Sequence, residues 1–284
     1  PGLGTWDLSA DDVAPAALAA ATIDGAVRAW PTYACGFFVY SREPELRSAT
    51  SVAQLVTWLG DSGQPLVGDF NGSSTLPPIY VDAYVDSHRT FPAGNPPSVD
   101  TGIRDGLRSL LGRCGSLDRT NPCLNNSYDL YDGNLAGIQR FVQRDARALL
   151  GYSEYLYYII RESNEPVDLG GITVVSAPLG AGSHPVLFTD GLVRNVNCTG
   201  ECAERAQRFA EFLTSVPTQT TIAFGEDVTP PVPRYLLMAS RTFWASARVT
   251  RDPVYAQLRD TVLGAESRPF RSTSLSRDDI LDAL

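Results

Sequence analysis

The sequence predicts an α/β fold, and two observations carry it. Strand-like and helix-like segments alternate from one end to the other. The 284 residues, 43% of them hydrophobic, can fill one large core or two moderate lobes. Strands separated by helices imply mainly parallel sheets. No internal repeat or low-complexity stretch interrupts the alternation.

Each element follows from its local chemistry. Residues 11–20 (DDVAPAALAA) read as a helix. In TIDGAVRAW, Asp24-Gly25 marks a tight turn between two short strands, because such turns demand residues that tolerate positive φ. GFFVYS (36–41) is the apolar run of a buried strand. Ser51 caps a helix that reaches Leu59. PLVGDF and IYVDAYV are strand-like or mixed, while residues 99–112 and 133–150 carry helical periodicity. Gly151-Tyr152-Ser153-Glu154 then opens an aromatic helix, YLYYIIRES. GGITVVSAP and PVLFTDGLV read as strands. CAERAQRFAEFLTS is an amphipathic helix with Ala206, Phe209, Phe212 and Leu213 on one face. TPPVPRY is a proline-rich connector, and two or three helices close the chain.

Composition excludes several functions. The formal charge is -9, which disfavours a nucleic-acid partner. No run is long and apolar enough to span a bilayer, so no membrane partner is expected. All 23 basic residues are Arg; without lysine there is no Schiff base, no PLP anchor and no P-loop lysine. His88 and His184 belong to no Ser-His-Asp constellation. PLGAG (178–182) is glycine-rich but lacks the dinucleotide-binding form and precedes a strand. No cofactor and no metal are expected.

The five cysteines divide unevenly. Cys114 with Cys123, and Cys198 with Cys202, lie close together among turn-forming residues where a local disulfide can close. Metal binding is the rival for these four, but neither pair has C-x-x-C spacing or a nearby His. Cys35 is left alone in an apolar stretch, as a core hydrophobe or as a reactive thiol. Three glycosylation sequons begin at Asn71, Asn125 and Asn197. With the disulfides they predict a secreted, extracellular glycoprotein. The chain opens on Pro1 and is read as a mature or cleaved form.

Taken in order, several stretches resemble type II periplasmic-binding proteins. TIDGAVRAWP resembles the hairpin before the chain first crosses between lobes, and GFFVYSREPELRSATSVAQL the strand, turn and capped helix after it. GGITVVSAPLGAGSHPVLFTDGLVRN resembles the return crossing; PRYLLMASRTFW and RDPVYAQLRDTV resemble the closing helices. The resemblance implies two lobes with a ligand cleft between them. It puts 1–37 and 189–238 in lobe one and 38–188 and 239–284 in lobe two, with the N-terminal part of lobe one missing.

Within that superfamily the sequence resembles the thiaminase I (thiamine pyridinylase) family. PTYACGFFVYSRE matches the segment bearing that family's nucleophilic cysteine, at Cys35, and Gly-Tyr-Ser-Glu the turn bearing its glutamate base, at Glu154. The same resemblance implies substrate-binding roles for Asp190, Tyr152, Phe188 and Tyr131. Cys35 lies nearer the N-terminus than in the family, so a separate N-terminal chain completing lobe one is a possible partner. The implied activity is transfer of the thiamine pyrimidine to a small nucleophilic co-substrate, through cleavage at the methylene bridge. A thiolate suits addition to an electron-poor ring, and a cleft carboxylate can take its proton. Asp190 could hold the pyrimidine amine while Tyr152 and Phe188 pack on the ring faces. The alternative is a secreted non-catalytic binding protein for thiamine or a similar heteroaromatic, with Cys35 merely buried. Tyr155, Tyr157 and Tyr158 are read as core.

Overall fold

A computed structural model describes residues 2–61, 63–71, 75–92, 98–130, 133–163, 166–182 and 185–265. Helix α1 (Pro15–Ala21) begins with a proline, which fixes φ where an N–H would lack a helical partner. Asp24 and Gly25 both take positive φ, 52° and 74°, and join β1 (Thr22–Ile23) to β2 (Ala26–Val27) as an antiparallel hairpin. Only Gly36 separates β3 (Ala29–Cys35) from β4 (Phe37–Ser41). Ser51 caps α2 (Val52–Leu59) by accepting the Gln54 N–H. Next come β5 (Leu66–Gly68), α3 (Leu76–His88), α4 (Thr101–Leu111), α5 (Ala136–Val142), β6 (Ala148–Tyr152), α6 (Tyr155–Glu162) and β7 (Thr173–Ser176). The rest comprises β8 (Phe188–Val193), α7 (Glu201–Thr214), α8 (Val216–Ala223), β9 (Leu237–Met238), α9 (Arg241–Ala245), α10 (Ala247–Arg251) and α11 (Pro253–Gly264).

Two compact units result; among the described residues, one joins 2–36 to 187–265 and the other holds 37–186. The first is built on an antiparallel sheet of order β8-β3-β9. On it Trp6 and Trp30 meet edge to face at 5.7 Å and pack with Ala210. Phe224, Tyr235, Phe243, Trp244 and Tyr255 form a second buried aromatic cluster. Residues 239–265 therefore belong here and not to lobe two, as the sequence suggested. Ser240 bridges Val13, the Ala14 N–H donates to the Ala239 carbonyl at 2.8 Å, and the closing helices supply the aromatic cluster.

The second unit has a four-stranded sheet of order β5-β6-β4-β7, in which only β5 and β6 are parallel. The expectation of mainly parallel sheets is thus corrected. β4 takes antiparallel partners on both edges, and in the first unit β3 and β8 run in opposite directions. Three local readings change as well. IYVDAYV lies inside α3, which is buried around most of its circumference, so its helical period has no polar stripe to reveal it. The helical stretch at 133–150 is α5 followed by strand β6, whose ALLGY segment is fully buried. On α7 the packed residues are Ala210, at 0% exposed, and Ala206 of the expected face, whereas Phe209 and Phe212 are 55% and 64% exposed. Close approach to the indoles of Trp6 and Trp30 selects the small side chain.

Candidate functional site

In the first unit the strand register brings three of the expected residues together. Cys35 lies directly opposite Phe188, and Tyr33 directly opposite Asp190, across the β3–β8 ladder. Directly opposed residues share a sheet face, with Cβ atoms about 4.5–5.5 Å apart. Positions 33, 35, 188 and 190 therefore line one face. Burial agrees with this assignment: Cys35, Tyr33 and Phe188 are half-buried and Asp190 is exposed, whereas Ala34, between them, is 4% exposed. A register shift between Pro31 and Tyr33 restores the pairing, and the Thr32 hydroxyl donates to the Asp190 carbonyl at 3.1 Å. Tyr33 was not singled out in the sequence; only its place two residues before Cys35 on a strand could have flagged it.

The second unit carries the other two. β6 ends at Tyr152, and Glu154 occupies the N-cap of α6 in helical geometry without capping it through its side chain. The turn is shaped by Gly151: a Cβ there would fall 2.2 Å from the Tyr155 ring, which folds back over the strand. Half-buried Glu154 accepts a 3.4 Å bond from the Ser153 hydroxyl. Below it lies fully buried Tyr40, whose hydroxyl donates to the Tyr152 carbonyl at 2.6 Å. Burial, reinforced by the Glu154 and Tyr155 side chains, pushes the Tyr40 phenol well above its ordinary value, so it stays a donor. Tyr152 itself is 7% exposed and stacks on Phe37 at 4.8 Å, which makes its ring largely core. Tyr131 and His184 lie outside the described residues.

Cys114 and Cys123 form one disulfide and Cys198 and Cys202 another, as the spacing predicted; Cys35 takes part in neither. Asn197 is exposed, while Asn71 and Asn125 are half-buried, so no sequon asparagine is buried. His88 pairs with Asp100 at 3.1 Å. Among the described residues, no group of His, Cys, Asp and Glu has the arrangement to hold a metal ion, and no helix is long and apolar enough to cross a membrane.

No family model matches the sequence, and no curated protein does. Solved structures do. Thiaminase I from Bacillus thiaminolyticus superposes with a TM-score of 0.76 at 22% identity, covering 99% of this chain and 79% of that one. Clostridium botulinum thiaminase I, in complex with thiamin, gives 0.69 at 19% identity over 96% and 75%. The maltose-bound MalE3 protein of T. maritima follows with 0.61 at 12% identity over 96% and 74%. The chain spans about three quarters of the length of each. Its fold is the α/β periplasmic-binding-protein fold that thiaminase I shares with maltose-binding proteins.

Proposed function

We propose that the protein is a thiaminase-like transferase with Cys35 as nucleophile and Glu154 as base. One observation carries the reading. The single cysteine left out of the disulfides is half-buried on a sheet face opposite an aromatic ring and beside a carboxylate, in a fold that thiaminase I also has. A thiol serving only as core would not need that setting.

In the proposed reaction Glu154 takes the thiol proton, and the Cys35 sulfur forms a bond to the electron-poor pyrimidine of thiamine. The bond from the methylene carbon to the thiazolium nitrogen breaks, and its electron pair leaves with the neutral thiazole. A nucleophilic co-substrate, such as an amine or thiol, then bonds to the methylene carbon, and expulsion of the sulfur restores the ring. Asp190 would accept the pyrimidine amine, and substrate-binding roles are assigned to Phe188, Tyr152 and Tyr131 by the same reading. Secretion and glycan on at least one of Asn71, Asn125 and Asn197 belong to the same proposal.

Alkylation tests it. Iodoacetamide should label Cys35 in the native protein, and thiamine should slow the labelling, as read by peptide mass. Labelling at the same rate with saturating thiamine contradicts the reading.

A further inference from the structure

Two buried hydroxyls stand at the turn that carries Glu154, and they make different bonds. Tyr40, 0% exposed, donates to the Tyr152 carbonyl at 2.6 Å and so holds the backbone. Ser153, 1% exposed, donates to Glu154 Oε2 at 3.4 Å. Among the described residues, the Ser153 hydroxyl makes no other hydrogen bond. A buried hydroxyl needs a partner, and a serine commonly finds one in nearby backbone. Here the partner is a carboxylate.

Glu154 had another course open to it. A carboxylate at a helix N-cap ordinarily accepts the first backbone N–H groups, which calls for extended backbone geometry. Glu154 has φ -67° and ψ -11°, which is helical, and makes no capping bond with its side chain. Its Oε2 meets the Ser153 hydroxyl instead. A hydrogen bond donated to a carboxylate favours the ionised form. At 3.4 Å the bond is long, but catalytic hydrogen bonds are often long before substrate binds and tighten around it.

We propose that Ser153 is a positioning residue for the base: its hydroxyl orients the Glu154 carboxylate and keeps it ionised, ready to accept the thiol proton. Ser153 keeps its own proton throughout, and the proton from Cys35 goes to Glu154. Tyr40 cannot take this part, because its hydroxyl already serves the Tyr152 carbonyl. The inference rests on Glu154 acting as the base and names the residue that prepares it.

The test uses the full chain and follows thiamine cleavage, with an added amine or thiol, as kcat/KM against pH. An ionised base gives a rate that falls as pH drops through its pKa. Ser153→Ala removes the donor, which raises that pKa, so the acid limb should move to higher pH by about 0.5–1 pH unit. Below the limb the rate should then fall roughly threefold to tenfold relative to wild type, with less loss on the plateau. In a Glu154→Gln background the same substitution should have little effect, because no titrating carboxylate remains for Ser153 to tune. An acid limb left at the wild-type pH, whether or not the rate falls, makes Ser153 a packing residue and overturns the inference. An equal loss in both backgrounds does the same. Wild-type protein that leaves thiamine intact, or a Glu154→Gln variant at the wild-type rate, refutes the proposed function first and this inference with it.

Discussion

Tyr40 fixes the turn on which Glu154 stands. Replacing it with Phe removes the 2.6 Å bond to the Tyr152 carbonyl and should destabilise the fold by about 0.5–1.5 kcal/mol in urea unfolding. Gly151→Ala should cost more, about 1–3 kcal/mol, because the new methyl overlaps the Tyr155 ring. Glu154→Gln keeps the shape of the turn and should lower the rate of thiamine cleavage by roughly two to four orders of magnitude. A Glu154→Gln variant with an unchanged rate would show the carboxylate to be ordinary helix-start chemistry. At this scale the sequence was readable where residue type and arithmetic suffice: five cysteines, two local pairs, one thiol remaining. It was silent on Tyr40, whose importance comes from a partner far away in the chain, the Tyr152 carbonyl.

Among the elements, α3 and α7 show where pattern reading loses its grip. α3 buries two carboxylates, and Asp82 and Asp86 accept the backbone N–H groups of Val186 and Gly180. Burial pushes Asp82 well above the ordinary carboxylate range, against the Val186 N–H and with help from Asp86. The folded state thus holds a proton that the unfolded state releases. Stability from this group is fully present below its unfolded pKa, near 4, and is lost as pH rises above it. Asp82→Asn keeps the acceptor and removes the titration, so its stability relative to wild type should rise from pH 4 to pH 7. Urea midpoints at both pH values decide it, and a constant difference contradicts the assignment. On α7, Phe212→Ala should change stability by no more than about 0.5 kcal/mol, whereas Ala210→Leu should cost about 1–3 kcal/mol. Periodicity marked α7 as amphipathic but chose its face by size; the indoles of Trp6 and Trp30 chose it by closeness.

Across the whole molecule, the α/β alternation was legible. It rests on runs such as GFFVYS and on the Asp24-Gly25 and Ser51 signals. Strand direction was not, since an apolar run reads the same in a parallel or an antiparallel ladder. The place of residues 239–265 was also hidden, because backbone bridges from Ser240 and Ala239 to the N-terminal segment leave no mark on composition. The central claim is chemical, that Cys35 opens thiamine, and the most direct measurement follows thiamine by mass spectrometry with an added amine or thiol. Wild-type protein should consume thiamine and yield the pyrimidine joined to the added nucleophile, and Cys35→Ser should bind thiamine but leave it intact. A Cys35→Ser protein that cleaves at the wild-type rate, or a wild-type protein that binds thiamine and never cleaves it, would contradict the account.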